Sequence, residues 1–134
     1  MTHLVHLITI LLICRTQMAA SYSSGAPAPA CSALDPSPGH GTSTVNDPSP
    51  YNLTFSAASY RPGEVIEVTL DGAPFEGFLI LARPTLGSSG PVGNFSAGNN
   101  SKVACSVTHN SKTVKSSISF NWTAPSVAVG SVEF

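Results

Sequence analysis

Charge is scarce in this sequence. Only 10% of its 134 residues are charged, six basic against seven acidic, for a formal net charge of −1. No basic stripe occurs, and because phosphate backbones are held by Lys and Arg, no nucleic-acid partner is expected. Heparin-like polyanions are disfavoured by the same count. So is killing by membrane disruption, which relies on cationic amphipathic segments. Cysteine is also scarce, with three residues and no Cys-X-X-Cys. No apolar run approaches the ~20 residues that a membrane-spanning helix requires. Equally absent are a Gly-rich phosphate loop, a nucleophile elbow and a His-Glu helix pair. The chain is therefore not expected to be an enzyme or to hold a cofactor.

What is present begins with a leader. Leu4 to Ile13 is an apolar run, followed by polar "RTQ" and then small residues "MAAS". Residues 1–20 read as a signal peptide cleaved near Ala20 or Ser21. Cleavage removes Cys14 and Arg15 and leaves Cys31 and Cys105, 74 positions apart. In an oxidising compartment that even number predicts a single disulfide, which on a chain-entropy model stabilises the fold by about 4 kcal/mol. Four Asn-X-Ser/Thr sequons, at Asn52, Asn94, Asn99 and Asn121, add candidate glycosylation sites and point the same way, to a secreted, extracellular glycoprotein.

The arm over residues 21–50 is dense in Pro, Gly, Ser and Ala and shows no period; it reads as an extended irregular segment tied down at Cys31. From Tyr51 the period becomes two. "YNLTF" puts Leu53 and Phe55 on one face, and "EVIEVTL" puts Ile66, Val68 and Leu70 inward. Pro62-Gly63 suits the centre of a type II turn. "DGAP" punctuates, and "GFLILAR", apolar on both faces, reads as a central strand ended by Pro84. "NFS" and "KVACSVTH" are short strands. "KTVKSSISFNWT" sets Val114, Ser116, Ile118, Phe120 and Trp122 inward and Lys115 outward, and "GSVEF" begins a last strand with Val132 and Phe134 inward. Asn52 and Asn121 fall on the outward faces, and a slip of one residue would bury them. Six or seven strands, no helix and one bridge predict an all-β chain, an antiparallel immunoglobulin-like β-sandwich.

Chemistry-bearing residues are few. His40 and His109 each lie within ten residues of a cysteine, so the bridge could bring them together as two metal ligands; the alternative is that they hydrogen-bond loop backbone. Glu64, Glu67, Asp71 and Glu76 cluster in sequence, but alternation puts Glu67 on a solvated face and Asp71 in a turn. The stretch 85–102, "TLGSSGPVGNFSAGNNSK", is the best candidate for a recognition loop.

Taken in order, "PSPGHG", "YRPGEVIEVTL", "FEGFLILAR", "VGNF", "CSVTHNSK" and "ISFNWTAPS…GSVEF" resemble the reeler domain, from about Cys31 to Phe134. That family includes the N-terminal module of reelin and of spondin-type matrix proteins, the N-terminus of ferric-chelate reductase 1-like membrane proteins, and small secreted insect defense proteins. The resemblance implies a disulfide-bonded β-sandwich with no catalytic residues. The expected function is secreted, non-catalytic binding in innate defense, with a microbial surface or another extracellular glycan or protein as partner. The alternatives are the N-terminal module of a reductase-like membrane protein, or a matrix interaction module.

Overall fold

A computed structural model gives the structure, which describes residues 22–34, 48–87, 90–103 and 106–134. Among the described residues, nine strands and one helical turn follow in order: α1 (Ala30–Ala33), β1 (Tyr51–Phe55), β2 (Val65–Phe75), β3 (Leu79–Ile80), β4 (Arg83–Pro84), β5 (Asn94–Ser96), β6 (Ser101–Val103), β7 (Val107–His109), β8 (Lys115–Thr123) and β9 (Val132–Glu133). They form a four-stranded sheet ordered β1-β2-β8-β5, a three-stranded sheet ordered β3-β7-β6 and the pair β4-β9. Every pairing is antiparallel. The chain is all-β, as its period of two requires.

The central ladder is β2 against β8. Val68 lies opposite Phe120 and Leu70 opposite Ile118, and Ile66, Val68, Ile118, Phe120 and Trp122 are buried. This inner face packs in one cluster with Ile80, Ala82 and Val107 from the other elements. Phe78 stacks on Phe120 with ring centroids 6.0 Å apart. The Pro62-Gly63 turn is closed by Glu64 N–H donating to the Arg61 carbonyl.

Several local expectations are overturned. "DGAP" does not end a strand. β2 runs through it, with a register shift between Asp71 and Phe75 and Gly72 at φ +131°; the Asp-Gly pair makes an irregularity within the ladder rather than a turn. Val114, just before β8, is 61% exposed, and Lys115, paired with Phe75 beyond that shift, is 7% exposed, the reverse of the simple alternation. Lys115 Nζ donates to the carbonyls of Glu76 (2.6 Å), Thr113 (2.6 Å) and Ser111 (3.2 Å), which offsets the cost of burying its ammonium. "GFLILAR" is buried along Ile80, Leu81 and Ala82, but it splits into the two-residue strands β3 and β4, and Pro84 belongs to β4 rather than ending the strand. "KVACSVTH" likewise supplies two strands, β6 and β7.

The arm is not merely irregular. Over residues 22–34 it carries α1, and it lies against β7. Ala26 N–H donates to Thr108 Oγ1 (3.1 Å), and the Tyr22 carbonyl meets His109 Nε2 (2.9 Å). Gly25 is buried at φ +105°, where a Cβ would lie 2.3 Å from the His109 carbonyl oxygen, so this crossing requires glycine. Residues 1–20, His40 and Cys105 lie outside the described residues. Among the described residues, no helix is long and apolar enough to cross a membrane.

Candidate functional site: an aromatic groove at one end of the sheets

Where β1 ends, β2 begins and β8 ends, the segment around Phe55–Tyr60 faces the C-terminal residues 128–134. Between them lies a groove of about 590 Å³, lined by Phe55, Tyr60, Ile66, Trp122, Val132 and Phe134 among others. Its volume falls in the range of ligand-binding clefts. Tyr60 holds the two walls together: its hydroxyl donates to the Gly130 carbonyl (2.8 Å) and accepts from Val129 N–H (3.2 Å). The Tyr60 ring meets Trp122 edge-to-face at 5.5 Å. Trp122, 1% exposed, donates its indole N–H to the Val92 carbonyl (3.0 Å). Phe134 lies 5.2 Å from Trp122 and 5.0 Å from Phe55, and Phe55 leaves 43% of itself exposed.

Among the described residues, no Asp, Glu, Lys, Arg, His or Cys lines this groove. The polar groups of the described lining are hydroxyls and backbone amides, which can orient a ligand. The arrangement is suited to contact, with flat apolar faces and a polar rim.

The sequence pointed to this groove only in part. Phe55, Trp122, Val132 and Phe134 are legible as inward residues, but Tyr60 gave no signal, because it lies between strands, outside any periodic run. The candidate loop 85–102 is not a free loop. It contains β5 and enters β6, and Val92 N–H donates to the Ala82 carbonyl. Glu64 Oε2 accepts from Arg61 N–H within a turn. Glu67 lies on β2 opposite Asn121. Asp71, expected in a turn, sits in β2. Among the described residues, no three His, Cys, Asp or Glu side chains gather into a possible metal site.

His109 faces backbone through both ring nitrogens. Nδ1 is 3.1 Å from Phe78 N–H, which donates to it, and Nε2 meets the Tyr22 carbonyl; a ring carrying its proton on Nε2 satisfies both. Thr108 Oγ1 donates to the Phe78 carbonyl at 2.7 Å. This pair of residues therefore clasps the arm to the body. Cys31 Sγ lies 3.7 Å from Ser106 Oγ, which puts it next to the residue that follows position 105 in the chain.

All four sequon asparagines, Asn52, Asn94, Asn99 and Asn121, are exposed. Three of them share the outer face of the four-stranded sheet. Asn52 is on edge strand β1, while Asn94 lies opposite Thr123 and Asn121 opposite Ser96 on β5 and β8.

These features define an all-β module with an aromatic groove at one end of its sheets. The Reeler domain model matches residues 29–134, and the chain belongs to the reeler domain family. It is 34% identical over 134 residues to ferric-chelate reductase 1 of Bos taurus, covering 92% of this chain but 22% of that protein. It is 29% identical over 136 residues to "Putative defense protein 3" of Antheraea mylitta, covering 93% of this chain and 80% of that one. The chain thus spans about a fifth of the reductase relatives' length. Among solved structures, the human F-spondin reeler domain matches with a TM-score of 0.56 at 24% identity, over 63% of this chain and 70% of that one; this likeness concerns the fold.

Proposed function

We propose that this chain is a secreted, non-catalytic recognition module acting in innate defense, and that a microbial surface or another extracellular glycan or protein is its ligand. The observation that carries this reading is the groove of Phe55, Tyr60, Trp122 and Phe134, a cleft of ligand size with no acid, base or thiol among its described lining residues. Its aromatic faces suit the apolar face of a sugar ring or an apolar side chain, and Tyr60, Ser59 and Ser131 offer hydroxyls nearby. The match to most of the length of an insect defense protein supports the physiological setting. Four exposed sequons support passage through the secretory pathway. On this reading the leader 1–20 is removed, Cys31 pairs with Cys105, and the sheets stack as an immunoglobulin-like sandwich. The contact of Cys31 with Ser106 supports the pairing.

A second reading has one observation in its favour, the higher identity to the reductase relatives. The chain would then be an N-terminal extracellular module of a ferric-chelate reductase 1-like membrane protein, with any redox chemistry lying in other parts of it. Antibody detection in the source tissue separates the two. A small soluble glycoprotein outside cells supports the defense reading; a much larger membrane-bound band carrying the same epitope replaces it with the second. Ligand binding is tested by presenting the purified glycoprotein to bacterial, fungal and matrix glycans, with Phe55→Ala as the groove variant.

A further inference from the structure

Among the described residues, strand β1 is an open edge. It ends the four-stranded sheet, and β2 is its sole strand partner among the described residues. Ser56 N–H donates to the Glu67 carbonyl, whereas Tyr51 N–H turns to Ser49 Oγ (3.1 Å), which in turn donates to the Tyr51 carbonyl. Even-numbered residues thus bond to β2, and odd-numbered ones face away from it. Tyr51 is capped locally by Ser49. The outward amides and carbonyls of Leu53 and Phe55 have no such cap among the described residues.

Edge strands in native proteins carry a device against pairing with another chain, usually a lysine, a proline, a bulge or extreme shortness. The opposite edge, β5, is three residues long. The five residues of β1, Tyr-Asn-Leu-Thr-Phe, contain no charge, proline or bulge. They are also self-complementary. Paired antiparallel with a second copy about Leu53, Tyr51 meets Phe55, Asn52 meets Thr54 and Leu53 meets Leu53. Aromatic and aliphatic residues then share one face and amide and hydroxyl residues the other, as a two-fold interface needs. Tyr51 and Phe55 are 40% and 43% exposed and available for this. The one unusual element on this edge is Asn52, the exposed acceptor of a sequon completed by Thr54.

We infer that an N-glycan on Asn52 is the guard of this edge, and that the contact it prevents is β1-to-β1 pairing with a second copy of this chain. Each bulky glycan rises from the outer face at the strand that would become the seam, next to Thr54 of the incoming copy. This inference rests on the secretory reading above, because the glycan is added only there; it does not depend on what the groove binds.

Two substitutions at the exposed Thr54 test it, since both abolish the sequon and spare the core. The protein is produced in a glycosylating secretory host, and glycan mass is mapped on the peptide bearing Asn52. Mass in solution is then measured by light scattering across a hundred-fold concentration range. The wild type is expected to carry a glycan at Asn52 and stay monomeric. Thr54→Ala is expected to shift toward twice the monomer mass as concentration rises. Thr54→Lys, equally free of glycan but with a charge on the edge, is expected to stay monomeric. A Thr54→Ala protein that remains monomeric throughout overturns the inference, as does a secreted wild type with an unmodified Asn52. Equal association by both variants assigns the contact to another surface and also overturns it. Secretion with an unmodified Asn52 sinks the guard while leaving the recognition reading intact; failure to be secreted sinks that reading.

Discussion

Replacing Lys115 by methionine is the most informative perturbation of the fold. The side chain is buried at the end of the β2–β8 ladder, and its Nζ donates to three backbone carbonyls, two of them at 2.6 Å. Hydrogen bonds to a charged group contribute about 1.5–3 kcal/mol each. Against them stands the cost of desolvating an ammonium, several kcal/mol when burial is complete, and methionine would recover roughly 1–2 kcal/mol of apolar burial. If desolvation dominated, Lys115→Met would be neutral or stabilising, as some buried-charge replacements are. The geometry argues otherwise. The carbonyls of Glu76, Ser111 and Thr113 converge on one point, and methionine offers none of them a donor. Each carbonyl left unpaired costs about 1–3 kcal/mol, so a net loss of about 2–4 kcal/mol is expected. For a domain of this size that corresponds to a fall in Tm of about 10 °C. Urea unfolding followed by Trp122 fluorescence measures it, and an unchanged slope would place the effect in stability rather than in the compactness of the unfolded chain. A Lys115→Met midpoint equal to or above the wild type would refute the claim that this carbonyl cage stabilises the fold.

Three further outcomes follow from the same contacts. Gly25→Ala puts a Cβ against the His109 carbonyl at a positive φ, so the arm should detach from β7; limited proteolysis is expected to cut near residues 22–30 much faster while the body survives, and an unchanged cleavage rate would contradict the clasp. Cys31→Ser should lower both secretion and Tm, by up to about 4 kcal/mol of stability if the bridge to Cys105 closes the long loop; an unaltered Tm would show that the pair is not bonded. Tyr60→Phe removes the hydroxyl that joins Gly130 and Val129 and should cost about 1–2 kcal/mol, with faster amide exchange at Val129 as the local readout.

The long alternating runs were legible. Ile66 and Val68, and Ile118, Phe120 and Trp122, turn inward because a pleated strand can present one face only to a core. The same pleat put Asn52 and Asn121 outside. What stayed illegible has a common cause: a period of two reports faces, not continuity. Asp71-Gly72 carries a turn signature, yet the ladder absorbs it as a shift in register and continues to Phe75. Lys115 rather than Val114 is buried where the ladder resumes opposite Phe75, because its ammonium finds the carbonyls of Glu76, Ser111 and Thr113, and no local pattern reveals it. The apolar run Leu79–Ala82 marks burial correctly, but not that only Leu79–Ile80 pairs, with β7, while Arg83–Pro84 just after it pairs with β9. Of the groove, the strand residues were visible, while Tyr60 acts through a carbonyl 70 residues away. The clasp of Gly25 by Thr108 and His109 is likewise long-range, and short-range periodicity is blind to it.

The central claim is that this domain acts by recognition through its aromatic groove. The direct measurement is equilibrium binding of the glycosylated protein to an immobilised panel of bacterial, fungal and matrix glycans, alongside Phe55→Ala protein shown to unfold cooperatively. The account predicts saturable binding to at least one surface, weakened at least ten-fold by the substitution. Binding to none of them, or equal binding by the two proteins, would contradict it.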